Sequence, residues 1–157
     1  MKTDECGIDL KSISEQFEST GVLLSCPDSI TYVTGIEFPF PGSFPERPIA
    51  CLILDSETAV MICPFEWGGA VHAQGWSGQL TTYSDGERNP LKVVAEAIGE
   101  YCSSAALSVD TLRYEAEAIS YELFSYLQET CPEIQWTAAD KKMRSLRMKK
   151  NESQIAL

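Results

Sequence analysis

Val22-Leu23-Leu24-Ser25-Cys26-Pro27-Asp28-Ser29-Ile30-Thr31-Tyr32-Val33-Thr34-Gly35 is the stretch on which the fold turns. Val22 to Cys26 shows no polar alternation, which is the pattern of a strand covered on both faces. Pro27-Asp28-Ser29 carries turn chemistry. A short element with Ile30, Tyr32 and Val33 follows, and Gly35 ends it.

Upstream, Leu10, Ile13 and Phe17 recur at helical spacing, with Asp9 as a cap and Gly21 as a stop. Downstream, residues 36–48 hold Pro39, Pro41, Pro45 and Pro48, with Phe38, Phe40 and Phe44 among them. Proline removes ladder and helix hydrogen bonds, so this is a stiff aromatic loop. Ile49 to Leu54 and Thr58 to Cys63, split by Asp55-Ser56-Glu57, read as a β-hairpin. A short helix is expected between Trp67 and Trp76, and a strand over Leu80 to Tyr83.

Asn89-Pro90 opens a helix with Leu91, Val94, Ala95 and Ile98 on its apolar stripe. Leu107 to Val109 is expected to be a strand. Ile119, Leu123, Leu127 and Cys131 mark the next helix, which Pro132 ends, and Ile134-Gln135-Trp136 is a last strand. Helices alternate with strands around an early hairpin, which predicts a mixed sheet with helices on its faces. No internal repeat is present.

The chain has 157 residues, a length that suits one domain with a core of its own. Its net charge of −11 argues against a nucleic-acid partner, which needs a basic face. No apolar run reaches the roughly 18–20 residues that span a bilayer, so no membrane partner is expected. Met1 to Glu5 lacks a basic, then apolar leader, which predicts a cytoplasmic protein. Without C-x-x-C pairs, the six cysteines read as reduced and mostly buried.

The charge is uneven. Residues 141–157 hold six of the twelve basic residues and one of the 23 acidic ones. Lys141 to Lys150 reads as a linker helix with a narrow stripe of Met143, Leu146 and Met148. Asn151 and Gln154 start a further helix that Leu157 cuts short, as at a cut just past a domain boundary.

Catalytic motifs are lacking. His72 is the only histidine, so no histidine-rich metal site can form. Gly68-Gly69 lacks a phosphate-loop frame, and no G-x-S-x-G occurs. Asn151-Glu152-Ser153 fits a glycosylation acceptor but means nothing without secretion. Asp55, Glu57, Asp85 and Asp110 fall at strand ends, where a two-metal nuclease would need them; turns are also rich in Asp for local bonding, and an acidic domain repels nucleic acid. Arg47 is the one cation in residues 12–87. Its planar fork makes it a carboxylate-binding candidate, against the alternative of a surface ion pair with Glu46 or Glu37. The loop itself is either a functional surface or packing for the domain's own core.

The stretch 22–35 resembles the strand–turn–helix signature, ending in I-x-Y-L-T-G, of the creatinase N-terminal domain. Leu146-Arg147-Met148 with Lys150 and then Gln154-Ile155 is similar to the L-R-x-x-K-x-x-x-E-I hinge that follows this domain, with Gln154 in place of the usual glutamate. The resemblance covers about residues 10–157. It implies an α/β, three-layer, ribonuclease-H-like fold with a mixed β-sheet. The implied layout is an N-terminal tail at 1–9, the domain at 10–140, and at 141–157 a linker helix with the start of a catalytic domain.

The family includes Xaa-Pro aminopeptidases, prolidases and creatinase. The implied function is the non-catalytic N-terminal domain of a Xaa-Pro metallopeptidase, serving dimerisation and active-site access. Two alternatives stand beside it: a stand-alone protein-interaction module, and the N-terminal domain of a creatinase-like C–N hydrolase. The implied partners are the chain's own C-terminal catalytic domain and a second copy in a homodimer. No catalytic or metal-ligating residue and no cofactor is expected in this chain. The parent's pair of divalent ions (manganese, cobalt or zinc) belongs to the catalytic domain. In relatives the loop after the Y-x-T-G motif lies at the dimer interface, which makes Arg47, Phe38, Phe40 and Phe44 the candidate contact residues.

Overall fold

A computed structural model describes residues 10–18, 20–39, 45–84, 86, 89–104 and 109–149. It contains a six-stranded mixed sheet in the order β4-β3-β2-β1-β5-β6. The strands are β1 (Gly21–Leu24), β2 (Ala50–Ile53), β3 (Ala59–Pro64), β4 (Gln79–Tyr83), β5 (Thr111–Tyr114) and β6 (Gln135–Ala138). β2 runs antiparallel to both its neighbours, β1 and β3. The other pairings, β3 with β4, β1 with β5 and β5 with β6, are parallel.

Six α-helices accompany the sheet: α1 (Leu10–Gln16), α2 (Pro27–Thr34), α3 (Gly68–Ala73), α4 (Pro90–Ser104), α5 (Tyr121–Thr130) and α6 (Asp140–Met148). They form two layers. One core joins Ile13, Phe17, Ile30, Val33, Val71, Met143 and Leu146 to Val22, Leu24, Cys51, Ile53 and Met61. The other joins Val94, Ile98, Leu123 and Leu127 to Leu23, Leu52, Val60, Ile62 and Leu112. Odd and even positions of the central strands thus face different cores. This is why β1, β2 and β3 are buried at every residue and read as unbroken apolar runs.

Local chemistry sets the element ends. Gly35 closes α2 at φ 73°, a left-handed position where a side chain would be strained. Asn89 Oδ1 accepts from Leu91 N at 3.0 Å and starts α4 ahead of Pro90. Ser120 caps α5 by accepting from Leu123 N at 3.1 Å.

Three expectations need correction. Gly21 does not stop α1, which ends before Glu18 at φ 57°; it is the first residue of β1. A Cβ on Gly21 would meet Leu112 Cδ2 at 2.8 Å, so the glycine serves close strand packing. The strand expected over Leu107–Val109 is instead Thr111–Tyr114; Val109 is not in a strand, and Leu107 and Ser108 lie outside the described residues. Lys141 to Lys149 forms the expected helix with an exposed basic face, but its stripe is only Met143 and Leu146, buried in the first core, while Met148 is exposed. The cap at Asp9 and the helix expected from Asn151 lie outside the described residues.

Candidate functional site

The carboxyl ends of β1, β3, β4, β5 and β6 all point to one end of the sheet, because β2 alone runs the other way. In open α/β sheets this end collects function. Here it holds residues 25–29, Arg47 to Ile49, Phe65 to Trp67, residues 115–120 and the start of α6.

Arg47 pairs with Glu66, not with Glu46 or Glu37. Its guanidinium lies 5.7 Å from the Trp67 ring, at cation–π range. Hydrogen bonds from its own backbone N–H and from Arg47 hold the Glu66 carboxyl below its ordinary range. Phe38 also packs on Trp67, with ring centroids 5.8 Å apart at 51°. Phe38 is half-buried against the first core, so one of the three loop aromatics does serve packing. Phe40 and Phe44 lie outside the described residues. The structure therefore gathers Arg47 and Phe38 around Trp67, a residue that the sequence alone did not single out.

A second constellation was not foreseen. Glu115 follows β5 and is 3% exposed. Its Oε2 accepts from Ser25 N and Cys26 N, both at 2.8 Å, and its Oε1 accepts from the Ser29 hydroxyl. The carboxylate thus caps the start of α2 from another strand, where the helix dipole favours negative charge. Asp140, at the start of α6, accepts from Ala116 N at 3.0 Å and Glu117 N at 2.9 Å. Tyr32 of α2 donates its hydroxyl to the Leu146 carbonyl at 2.7 Å and meets the Lys149 carbonyl at 3.3 Å. Burial raises the Tyr32 phenol above its ordinary value, which keeps it a donor. Three side chains therefore link α2, the turn after β5 and α6 in a closed ring. Tyr32 lies in the stretch 22–35 that the sequence brings forward; Glu115 and Asp140 carry no motif that singles them out.

Other sequence readings are placed as follows. His72 is an exposed residue of α3. Asp55 Oδ1 accepts from Glu57 N and Thr58 N, both at 2.8 Å, which is the turn chemistry weighed against a nuclease role. Among the described residues no three His, Cys, Asp or Glu side chains gather as a metal site would need. The residues described here thus do not fit a pair of divalent ions. Cys51, Cys63, Cys102 and Cys131 are buried free thiols, and burial pushes the first three up to about 12, 11 and 12. Among the described residues no helix is long and apolar enough to cross a membrane.

Similar chains were found by sequence and by structure. The chain is 23% identical over 138 residues to the Bacillus subtilis protein named "Putative dipeptidase YkvY", covering 88% of this chain and 36% of that protein. A proline dipeptidase structure from Streptococcus pneumoniae superposes with a TM-score of 0.71 at 18% identity, over 91% of this chain and 99% of that one. A Thermococcus sibiricus prolidase superposes with a TM-score of 0.72 at 18% identity, over 94% of this chain but only 38% of that one. The chain thus spans about a third of its curated relative and shares its fold with one part of the longer prolidase. The family model described as the creatinase/prolidase N-terminal domain matches residues 10–149, from the start of α1 to the capped end of α6, and the chain belongs to that family.

Proposed function

We propose that this chain is the non-catalytic N-terminal domain of a cytoplasmic Xaa-Pro dipeptidase-type metallohydrolase, with roles in dimerisation and access to the active site. The observation that carries this reading is coverage: nearly the whole chain aligns with little more than a third of a full prolidase. The catalytic partner, with its two divalent ions, would then be the chain's own C-terminal domain, and the assembly a homodimer. On this reading 10–140 is the domain body and α6 leads toward the catalytic domain.

The loop at 36–48 is the contact surface in this proposal, with Arg47, Phe38, Phe40 and Phe44 facing the partner subunit or the substrate. Support comes from the position of Arg47 at the functional end of the sheet, braced over Trp67 and paired to a carboxylate. A bound carboxylate would take the place of Glu66 on the guanidinium.

The test uses the full-length parent. It should hydrolyse Xaa-Pro substrates in the presence of a divalent ion, while residues 1–157 alone should not. Arg47→Ala should raise KM or weaken dimerisation at unchanged metal content, and Glu66→Gln should not. If Arg47→Ala leaves both at wild-type levels, Arg47 only braces Trp67 and the contact role is wrong.

A further inference from the structure

Among the described residues α6 comes last, and its final turn has little apolar hold. Leu146 is 7% exposed and packs in the first core, but Met148 is 84% exposed and Lys149 faces solvent. Lys149 leaves the helix at φ −90° and ψ 82°, and its N–H bonds the Leu146 carbonyl at 3.1 Å. The last carbonyls of a helix lack partners within it and take them from outside.

Here the partner is Tyr32 of α2. Its hydroxyl donates to Leu146 O at 2.7 Å and stands 3.3 Å from Lys149 O, so one phenol reaches carbonyls before and after Met148. Arg147 reaches back to the start of α2 more loosely, with Nη1 3.6 Å from Cys26 Sγ and 3.9 Å from Asp28 Oδ2. Asp28 is exposed, and an exposed pair at that distance contributes little. The phenol is therefore the strong tie. Its own place is fixed: the Tyr32 ring packs on the first core, where Ile30 and Val33 of α2 are buried, and Gly35 ends the helix just beyond.

We propose that Tyr32 is a positioning residue: it stops α6 at Met148, fixes the direction in which the chain continues, and so sets how this domain is held against the catalytic domain. The placement of the catalytic domain rests on the peptidase reading; the stop at Met148 does not. In that reading this domain governs access to the active site, and the two ions belong to the other domain. A loosened α6 would then change how substrate is received rather than the chemical step, which is a change in KM and not in kcat.

Tyr32→Phe keeps the ring and removes only the hydroxyl. In residues 1–157, amide residual dipolar couplings of Arg147, Met148 and Lys149 should fit the orientation of the sheet in the wild type and shrink toward zero in Tyr32→Phe, while those of the sheet, α4 and α5 stay. In the full-length parent, Tyr32→Phe should raise KM for a Xaa-Pro dipeptide about threefold to tenfold, the range one hydrogen bond spans, with kcat within about twofold and metal content unchanged. Asn89→Ala removes the α4 cap at a similar cost in stability, on the other layer of helices, and should change neither the couplings nor KM. Wild-type couplings in Tyr32→Phe would overturn the proposal. So would a wild-type KM, a loss carried by kcat, or the same rise in KM in Asn89→Ala. A parent that does not hydrolyse Xaa-Pro substrates would overturn the peptidase reading and the placement that rests on it, while the couplings still decide whether Tyr32 stops α6.

Discussion

Replacing Glu115 tests the reasoning most directly. In Glu115→Ala, Ser25 N, Cys26 N and the Ser29 hydroxyl lose their acceptor together. Each buried donor left unpaired costs about 1–3 kcal/mol. Two effects reduce the sum: the Ser29 hydroxyl can rotate, and Cys26 is half-buried, so water can reach its amide. The expected loss is therefore about 3–5 kcal/mol, near the low end of three such costs. Against a total of about 5–15 kcal/mol for a domain, that is a large fraction.

Glu115→Gln separates charge from geometry. Its carbonyl oxygen can keep the two backbone N–H donors, and its NH₂ can donate to Ser29 once that hydroxyl turns to become an acceptor. The backbone donors stay paired, while the Ser29 hydroxyl hydrogen loses its acceptor and the charge assistance is lost, together about 1–3 kcal/mol. Urea unfolding of the three proteins at a common slope gives the comparison. An alanine variant within about 1 kcal/mol of wild type would refute the capping argument, because that is the worth of one ordinary hydrogen bond. A glutamine variant as unstable as the alanine one would show that charge, not pairing, governs the site.

Tyr32→Phe should cost about 1 kcal/mol and speed hydrogen exchange at the end of α6 while leaving α4 and α5 unchanged; uniform exchange would refute the local cap. Tyr32→Phe and Glu115→Gln belong to one ring, so their combined stability loss should differ from the sum by about 0.5 kcal/mol or more, and strict additivity would break the ring. The buried thiols favour the protonated form in the folded state, so they oppose unfolding less as pH rises. Stability should hold below the ordinary thiol value of 9.0 and fall from there toward about 12, by at most about 1.4 kcal/mol per pH unit for each thiol. At pH 8 a thiol reagent should modify half-buried Cys26 well before Cys51, Cys63, Cys102 or Cys131 in the native chain; mass spectrometry showing equal rates would contradict the burial.

Most of the sheet was legible because a strand covered on both faces must be apolar throughout, as β1, β2 and β3 are. The helix starts at Asn89-Pro90 was legible because the cap is local. β5 was misplaced because Thr111-Leu112-Arg113-Tyr114 looks less apolar than Leu107-Ser108-Val109. Arg113 is tolerated in the strand since its guanidinium lies 5.9 Å from the Phe17 ring, a contact made by tertiary folding. The same limit hid the site. Glu115 acquires its partners from 86 to 90 residues away, and the Arg47–Glu66 pair closes over 19. Nothing in the immediate neighbours of a glutamate distinguishes one that caps a distant helix from one that faces water.

The ring of caps also explains how α6 packs on the first core despite its basic, solvent-like sequence. Only Met143 and Leu146 of α6 are buried, a stripe too small to hold a nine-residue helix by apolar contact alone. The remaining support is polar and comes from both ends. Asp140 at its start fixes the turn after β5, and Tyr32 from α2 satisfies carbonyls at its end. Arg144 adds an ion pair to Glu117 at 2.5 Å. Because Glu115 in turn fixes the start of α2, a shift in any one of α2, the β5–α5 turn or α6 would strain the other two. The direction in which α6 hands on the chain is therefore set by the central strands β1 and β5 through α2, and not by the few apolar side chains of α6 itself.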